Sequence, residues 1–279
     1  MNNQKDSQCT ILKADSLNDL LTQLEKLSTH CEAFETLLSL YKIQRDFPDM
    51  SHFRLGPNMF EHIPLYTIVL IDRSPTSQHG QLITHGMMTS ILWNNSSDDL
   101  PQGWQGAVRK SYEDAIKQVK KDTAVGLYIR VEKEFKQQGW SEIIINTMKK
   151  FSVEQAYHSL IIPLRLPQRF EEQYAKIPYQ KFITLKREDG QYMDHWLRLH
   201  TRLGGSIIGI CMNSHQHAMN LNDFAKQFKT KKISRTGYYL SEKQGLWYRV
   251  YIDTKHEFAL INQECTWIQH NLATPQPTV

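Results

Sequence analysis

Residues 123–148, TAVGLYIRVEKEFKQQGWSEIIINTM, set an apolar strand, a short glycine-bearing loop and an amphipathic helix in immediate succession. Val125, Leu127, Ile129 and Val131 alternate at period two, the pattern of a half-buried strand. After the turn Lys136-Gln137-Gln138-Gly139-Trp140-Ser141, the residues Ile144, Ile145 and Met148 recur at helical spacing. The first N–H groups of a helix have no internal acceptors and lie at the positive end of its dipole, so a loop that aims them at one point makes an anion site. Gly139 lets backbone approach an oxygen there with no Cβ in the way. An ordinary strand-to-helix turn has the same pattern, and the stretch by itself leaves both open.

Around it the chain alternates helix and strand. Residues 16–46 carry Leu17, Leu20, Leu21, Leu24, Leu27, Phe34, Leu37, Leu38 and Tyr41 at helical spacing and predict two helices. Ser16 suits the N-cap of the first and Asp19 its first turn. Pro48, Gly56, Pro57 and Pro64 mark an irregular connection. Residues 66–72 and 81–93 then predict strands joined by a polar turn with Pro75 and Gly80. Residues 103–121 predict a helix with Val108, Tyr112, Ala115, Ile116 and Val119 facing inward. The apolar run at 157–165 fits a strand covered on both faces. Residues 167–190 suggest no regular element and read as an insertion over the active face. A short helix at 194–203, capped by Asp194 and ended by Gly204-Gly205, precedes a strand at 206–212, a small helix at 220–228 and closing strands at 246–252 and 265–269. That order argues an α/β sheet.

A chain of 279 residues with 40% hydrophobic content buries a sizeable core. It holds no run of about 18 apolar residues, and residues 1–15 lack a charged-then-apolar leader, so a soluble, cytoplasmic protein with no membrane partner is expected. Thirty-three Lys and Arg against 29 Asp and Glu give +4, too mild to argue for nucleic acid yet compatible with an anionic cofactor. The basic run at 226–235, KQFKTKKISR, reads as a solvated helix end and loop rather than a phosphate-binding arm. Cys9, Cys31, Cys211 and Cys265 form no CxxC pair, so free and mostly buried thiols are expected. His215-Gln216-His217, read as a loop without nearby carboxylates, predicts no metal site.

Residues 131–141, VEKEFKQQGWS, resemble the acyl-CoA loop of the GCN5-related N-acetyltransferase (GNAT) superfamily, Val-x-Pro-x-x-Arg/Gln-x-x-Gly-x-Gly/Ala. Lys133 stands where proline is usual, Lys136 replaces Arg or Gln, Gln137 sits where many members have glycine, and Ser141 takes the final small position. The resemblance continues to the C-terminus: Trp196, Leu197, Arg198, His200, Arg202, Leu203 and Gly204 match a helix motif of a bacterial branch found beside acyl-CoA ligases and polyketide assembly lines. It implies a GNAT-like α/β fold over residues 65–279, a mixed and mostly antiparallel central sheet flanked by helices, with residues 1–64 as an N-terminal helical extension. It also implies acetyl-CoA or another acyl-CoA as co-substrate, held by Ile129, Val131, Lys136, Gln137, Gln138, Gly139, Trp140 and Ser141, and no metal. The activity implied is transfer of the acyl group, most simply acetyl, to an amine or thiol of a metabolite or carrier protein in a biosynthetic pathway.

Such a transfer needs an acid–base group at the acceptor. Glu132 at the strand end and His200 are the candidates, against a solvated glutamate and a core histidine bonded to backbone. Trp196, Leu199, His200 and Leu203 fall at i, i+3, i+4 and i+7, which places His200 on the apolar helix face. Arg198 and Arg202 share another face, suited to a carboxylate, a phosphate or solvent, and His195 is expected to be exposed. Decarboxylating members of the branch have a threonine after the fifth strand and a Pro-Arg-Ser turn after the next; this chain has Pro167 and Met212-Asn213-Ser214 there. A malonyl-type thioester decarboxylase of a polyketide starter pathway and a non-catalytic acyl-CoA or carrier-protein-binding subunit are the alternatives. Trp93, Trp104, Trp140, Tyr179 and Trp196 suit either core or acyl pocket. Residues 1–60 suit a lid, a homodimer contact or a carrier-protein dock.

Overall fold

The computed structural model describes residues 7–46, 57–74, 79–230 and 233–272. Contacts group the chain into two units, Met1–Ser96 with Ala107–Ile161 and His270–Val279, and Ser97–Gly106 with Ile162–Gln269. Pro48 and Gly56 of the expected connection, Pro75 of the turn after it, and Lys231 and Lys232 of the basic run lie outside the described residues.

The first unit contains strand β1 (Ser7–Ala14), helices α1 (Leu17–Ser28), α2 (Glu32–Asp46) and α3 (Pro57–Phe60), strands β2 (Leu65–Asp72) and β3 (Gln81–Ile91), helix α4 (Gly103–Ile116) from Ala107 onward, strand β4 (Thr123–Val131), helix α5 (Trp140–Glu154) and the start of strand β5 (Ser159–Leu164). Its sheet runs β1-β2-β3-β4-β5, antiparallel except for the parallel pair β4–β5. β1 was not expected from the sequence. Only Leu12 and Ala14 of that edge strand are buried, so its alternation is too short to stand out. Ser16 does cap α1, its hydroxyl accepting the Asp19 N–H at 3.1 Å, and Leu17, Leu20, Leu21 and Leu24 are buried as the spacing predicts. α4 stops earlier than expected, with Gln118 in a left-handed conformation at φ +54°.

Successive residues of β3 divide the two faces of this sheet. Gly86 faces α5, where an added Cβ would collide with Met148 Cε and lie 3.0 Å from Ile144 Cδ1. His85 points the other way, its ring edge-on to Tyr41 of α2 at 6.1 Å and tilted against Tyr128 of β4 at 5.4 Å. Burial first, and the Arg130 cation second, push this imidazole from 6.5 down to about 3. Neither ring nitrogen has a hydrogen-bond partner among the described residues.

The unfolded chain protonates His85 near 6.5 while the folded chain keeps it neutral to about 3. Stability present above the unfolded value is therefore lost as pH falls through that window, at about 1.4 kcal/mol per unit. Urea unfolding at pH 5 is expected to show about 2 kcal/mol less stability than at pH 7 from this group alone. In His85→Phe that share should vanish, and an unchanged pH slope would assign the acid sensitivity to other groups.

The second unit carries a 3₁₀ turn (Pro167–Phe170), helices α6 (Glu172–Ala175), α7 (Tyr179–Phe182) and α8 (His195–Arg202), strand β6 (Ser206–Asn220), helix α9 (Leu221–Phe228) and strands β7 (Gly237–Lys243), β8 (Leu246–Asp253) and β9 (Phe258–Asn271), the last up to Gln269. Its strands pair antiparallel in the order β6-β9-β8-β7. Residues 167–182 thus hold short helical turns whose Phe170, Ala175, Tyr179 and Phe182 are buried, and Lys186 bridges Tyr192 beyond them. Four residues cannot display a 3.6-residue period, which is why the sequence hid them. β6 extends past residue 212 and takes in His215-Gln216-His217, paired with Gln263, Asn262 and Ile261, so this segment is strand and not loop. β7 was missed too, although Gln244-Gly245, with φ +55° and +79°, carries the hairpin signal. Asn220 caps α9 by accepting the Asp223 N–H at 2.8 Å, and Phe224 and Phe228 pack on Val250, Ile252, Ala259 and Ile261. Among the described residues no helix is long and apolar enough to cross a membrane.

Candidate active site

β4 pairs with β3 almost throughout, but its ladder with β5 covers only Thr123–Ser159, Ala124–Leu160 and Val125–Ile161. β4 runs on to Val131. Met87 and Met88 of β3 face Tyr128 and Gly126, so Leu127 is an inserted residue. A bulge of this kind raises local twist and re-aims a strand. Residues 126–131 therefore present backbone outside the β5 ladder, with Ile129 and Val131 half-buried along it.

From β4 the chain passes through a 3₁₀ turn, Lys133–Phe135, into the loop. Gly139, at φ +85°, caps α5, and its carbonyl accepts the N–H groups of Glu142 at 3.0 Å and Ile143 at 3.3 Å. The N–H groups of Gly139, Trp140 and Ser141 have no backbone acceptor among the described residues. A Cβ added at Gly139 would project into open space. Trp140 is buried and anchors the turn, its indole N–H donating to Gln138 Oε1 at 3.4 Å while the Gln138 amide donates to the Glu134 carbonyl at 3.0 Å. Lys136 and Gln137 are exposed and Ser141 is half-buried. Gln137 has φ +63°, a left-handed backbone that glycine adopts without strain.

Glu132 leaves β4 with its carboxylate 3.0 Å from Arg130 Nε and 3.3 Å from Nη2. It is paired with a cation rather than simply solvated. Burial raises the neighbouring Tyr128 phenol, and the Arg130 charge draws it partly back.

His200 belongs to the second unit and is 1% exposed. Asp194 starts its helix: Oδ1 accepts the N–H of Trp196 at 2.8 Å and of Leu197 at 3.3 Å, and Oδ2 that of Gln168 at 3.3 Å. Burial pushes this carboxyl upward, opposed by His195 and those three donors. The His200 ring stacks on Trp196, centroids 6.0 Å apart, and its carbonyl accepts the Gly205 N–H at 2.8 Å. Spacing had placed it on the buried face, and His195 is exposed as expected. Arg198 instead donates to the Tyr192 carbonyl at 2.7 Å and to that of Met193, tying down the segment before α8. Arg202 is exposed.

Gln168, Arg187, Glu188, Asp189, Met193 and Arg198 line an open, charged cleft of about 490 Å³ in this unit. Its residues come from loops and helix starts, and nothing in their spacing announced it. Trp93, Trp140 and Tyr179 are core residues, while Trp104 and Trp196 are half-buried. Cys9 is exposed, Cys31 and Cys265 are buried, and Cys211 is half-buried. No trio of His, Cys, Asp or Glu gathers as a metal site among the described residues.

The expected mixed, mostly antiparallel sheet flanked by helices is present, and in it a bulged strand leaves its parallel neighbour and feeds a glycine-capped helix. Among curated proteins the chain is similar to the arginine N-acetyltransferase avaD of Aspergillus versicolor, 25% identical over 179 residues, or 60% of this chain. The chain spans 59% of the length of that relative. No family model matches. The solved structures to which the chain is similar include the loading GNATL domain of CurA from Lyngbya majuscula, at 12% identity over 95% of this chain and 98% of that one with a TM-score of 0.47. Another is the GphF GNAT-like decarboxylase in complex with isobutyryl-CoA, at 12% identity over 95% and 100% with a TM-score of 0.45. Scores at this level say nothing of activity.

Proposed function

We propose that the chain is a GNAT-type acyltransferase that takes acetyl-CoA or another acyl-CoA and passes the acyl group to an amine or thiol of a small-molecule or carrier-protein acceptor in a biosynthetic pathway. Residues 65–279 form the acyl-CoA-binding domain in this proposal, with residues 1–64 as its extension. The observation that carries it is the release of β4 from β5 after Val125, directly ahead of the α5 N-terminus. The amides of a pantetheine arm are matched by strand backbone at residues 126–131, and a pyrophosphate by the N–H groups of Gly139, Trp140 and Ser141. Lys136 would add a side-chain cation at the same loop. His200 is the proposed acid–base group, with Asp194 positioning its helix. The similarity to a curated N-acetyltransferase supports the same reaction class.

Incubation with acetyl-CoA and malonyl-CoA, read by mass spectrometry with candidate amines and a carrier-protein thiol, tests this directly. Acetyl transfer supports it; loss of CO2 from malonyl-CoA, or bound thioester without turnover, moves the protein to another class. Failure of any CoA thioester to raise the melting temperature at saturating concentration would remove the shared premise. Gly139→Ala is expected to weaken CoA binding about tenfold by calorimetry while costing about 1 kcal/mol of stability, because alanine is strained at this backbone conformation. Unchanged affinity would exclude the loop from the phosphate site.

A further inference from the structure

Cys211 of β6 and Cys265 of β9 are opposed in the antiparallel register. Residues so placed share a face and have Cα atoms about 4.5–5.5 Å apart, within the span a disulfide accepts. Cys265 is buried at 1% exposure and Cys211 is half-buried. Beside them the ladder breaks. Pairing resumes at His215–Gln263, so Met212, Asn213 and Ser214 together face Glu264. A bulge frees backbone donors from the ladder beside the two sulfurs.

The donated Cys265 hydrogen bond, then the Asn213 N–H, draw the Cys211 thiol from 9.0 down to about 7 against the effect of burial. Cys265, the donor and the more buried of the two, is pushed up. The half-buried Cys211 is the sulfur a reagent can reach, and the buried Cys265 lies opposite it to resolve the product.

We propose that Cys211 and Cys265 form a redox modification site, in which Cys211 reacts with a hydroperoxide and Cys265 resolves the product to a cross-strand disulfide that thiols reverse. The Cys211 thiolate attacks a peroxide oxygen; an S–O bond forms, the O–O bond breaks, and the departing oxygen takes a proton to leave as water or alcohol. The Cys265 sulfur then attacks the sulfenic acid, giving up its proton as the S–S bond forms and the S–O bond breaks to release water. In sum two thiols lose two electrons and two protons to the peroxide. The site is independent of the acyl-transfer proposal.

The full-length protein treated with hydrogen peroxide, then denatured and alkylated with N-ethylmaleimide and digested without reductant, is expected to yield one peptide joining Cys211 to Cys265, lighter than its parts by two hydrogen atoms. Cys9 and Cys31 should remain alkylated, and dithiothreitol should restore both thiols. Cys211→Ser should leave Cys265 reduced, with circular dichroism confirming its fold. Recovery of Cys211 as sulfinic acid beside an alkylatable Cys265, or of both as unreacted thiols, would overturn the proposal, and the wild-type digest decides this even if a variant fails to fold.

Discussion

Arg169→Ala is expected to lower the unfolding free energy by about 3–5 kcal/mol. The Arg169 and Glu264 side chains are 3% and 7% exposed, and Nη2 lies 3.4 Å from Glu264 Oε1. The same guanidinium donates through Nη1 to the Tyr174 carbonyl and rests over the Phe182 ring at 5.9 Å. One side chain therefore joins the 3₁₀ turn, α6, α7 and β9. Its Nε has no partner among the described residues, so the ion pair is incompletely satisfied and its net contribution is small. The loss on truncation comes instead from the orphaned Glu264 carboxylate and the vacated volume. This separates two measurable quantities. Arg169→Met with Glu264→Gln removes both charges at similar volume and is expected to recover most of the stability lost by Arg169→Ala, as read by urea unfolding of the two variants. A loss below about 1 kcal/mol in the single variant would mean that water reaches Glu264.

The contrast between Arg169 and Gly139 shows which parts of this protein are legible in its sequence. Gly139, the Ser16 and Asp194 caps, the stripes of α1 and α5 and the both-faces-buried run of β5 are local: each follows from spacing within one element. β1 and the turns at 167–182 are equally local in chain but too weakly patterned, since an edge strand buries two side chains and a four-residue helix has no period to show. At the candidate site the turn into α5 was legible, whereas the end of the β4–β5 ladder and the Leu127 bulge depend on partners and were not. The same limit hid the Arg130 partner of Glu132, the burial of His85 against Tyr41 and the opposition of Cys211 to Cys265. Register is a property of two strands, and composition along one of them does not contain it.

His200→Ala is expected to lower kcat by about 10²–10⁴ if the imidazole moves a proton in the transition state. Its setting gives that expectation a structural competitor, because a side chain 1% exposed and stacked on Trp196 also contributes packing. Truncation leaves a cavity and lowers stability by a few kcal/mol whether or not chemistry is lost. The two roles divide in the kinetics. A group acting only in the transition state lowers kcat and kcat/KM equally, and leaves KM for the acyl-CoA unchanged. A packing residue lowers the melting temperature and the folded fraction but leaves kcat per folded molecule intact. His200→Gln sharpens the division, since it retains much of the volume and one hydrogen-bonding nitrogen without an imidazole's acid–base chemistry. Full stability with a hundredfold loss of kcat in that variant places the proton transfer at His200. Full stability with full turnover assigns the histidine to the Trp196 stack and returns the acid–base role to Glu132, which must then release Arg130 to perform it.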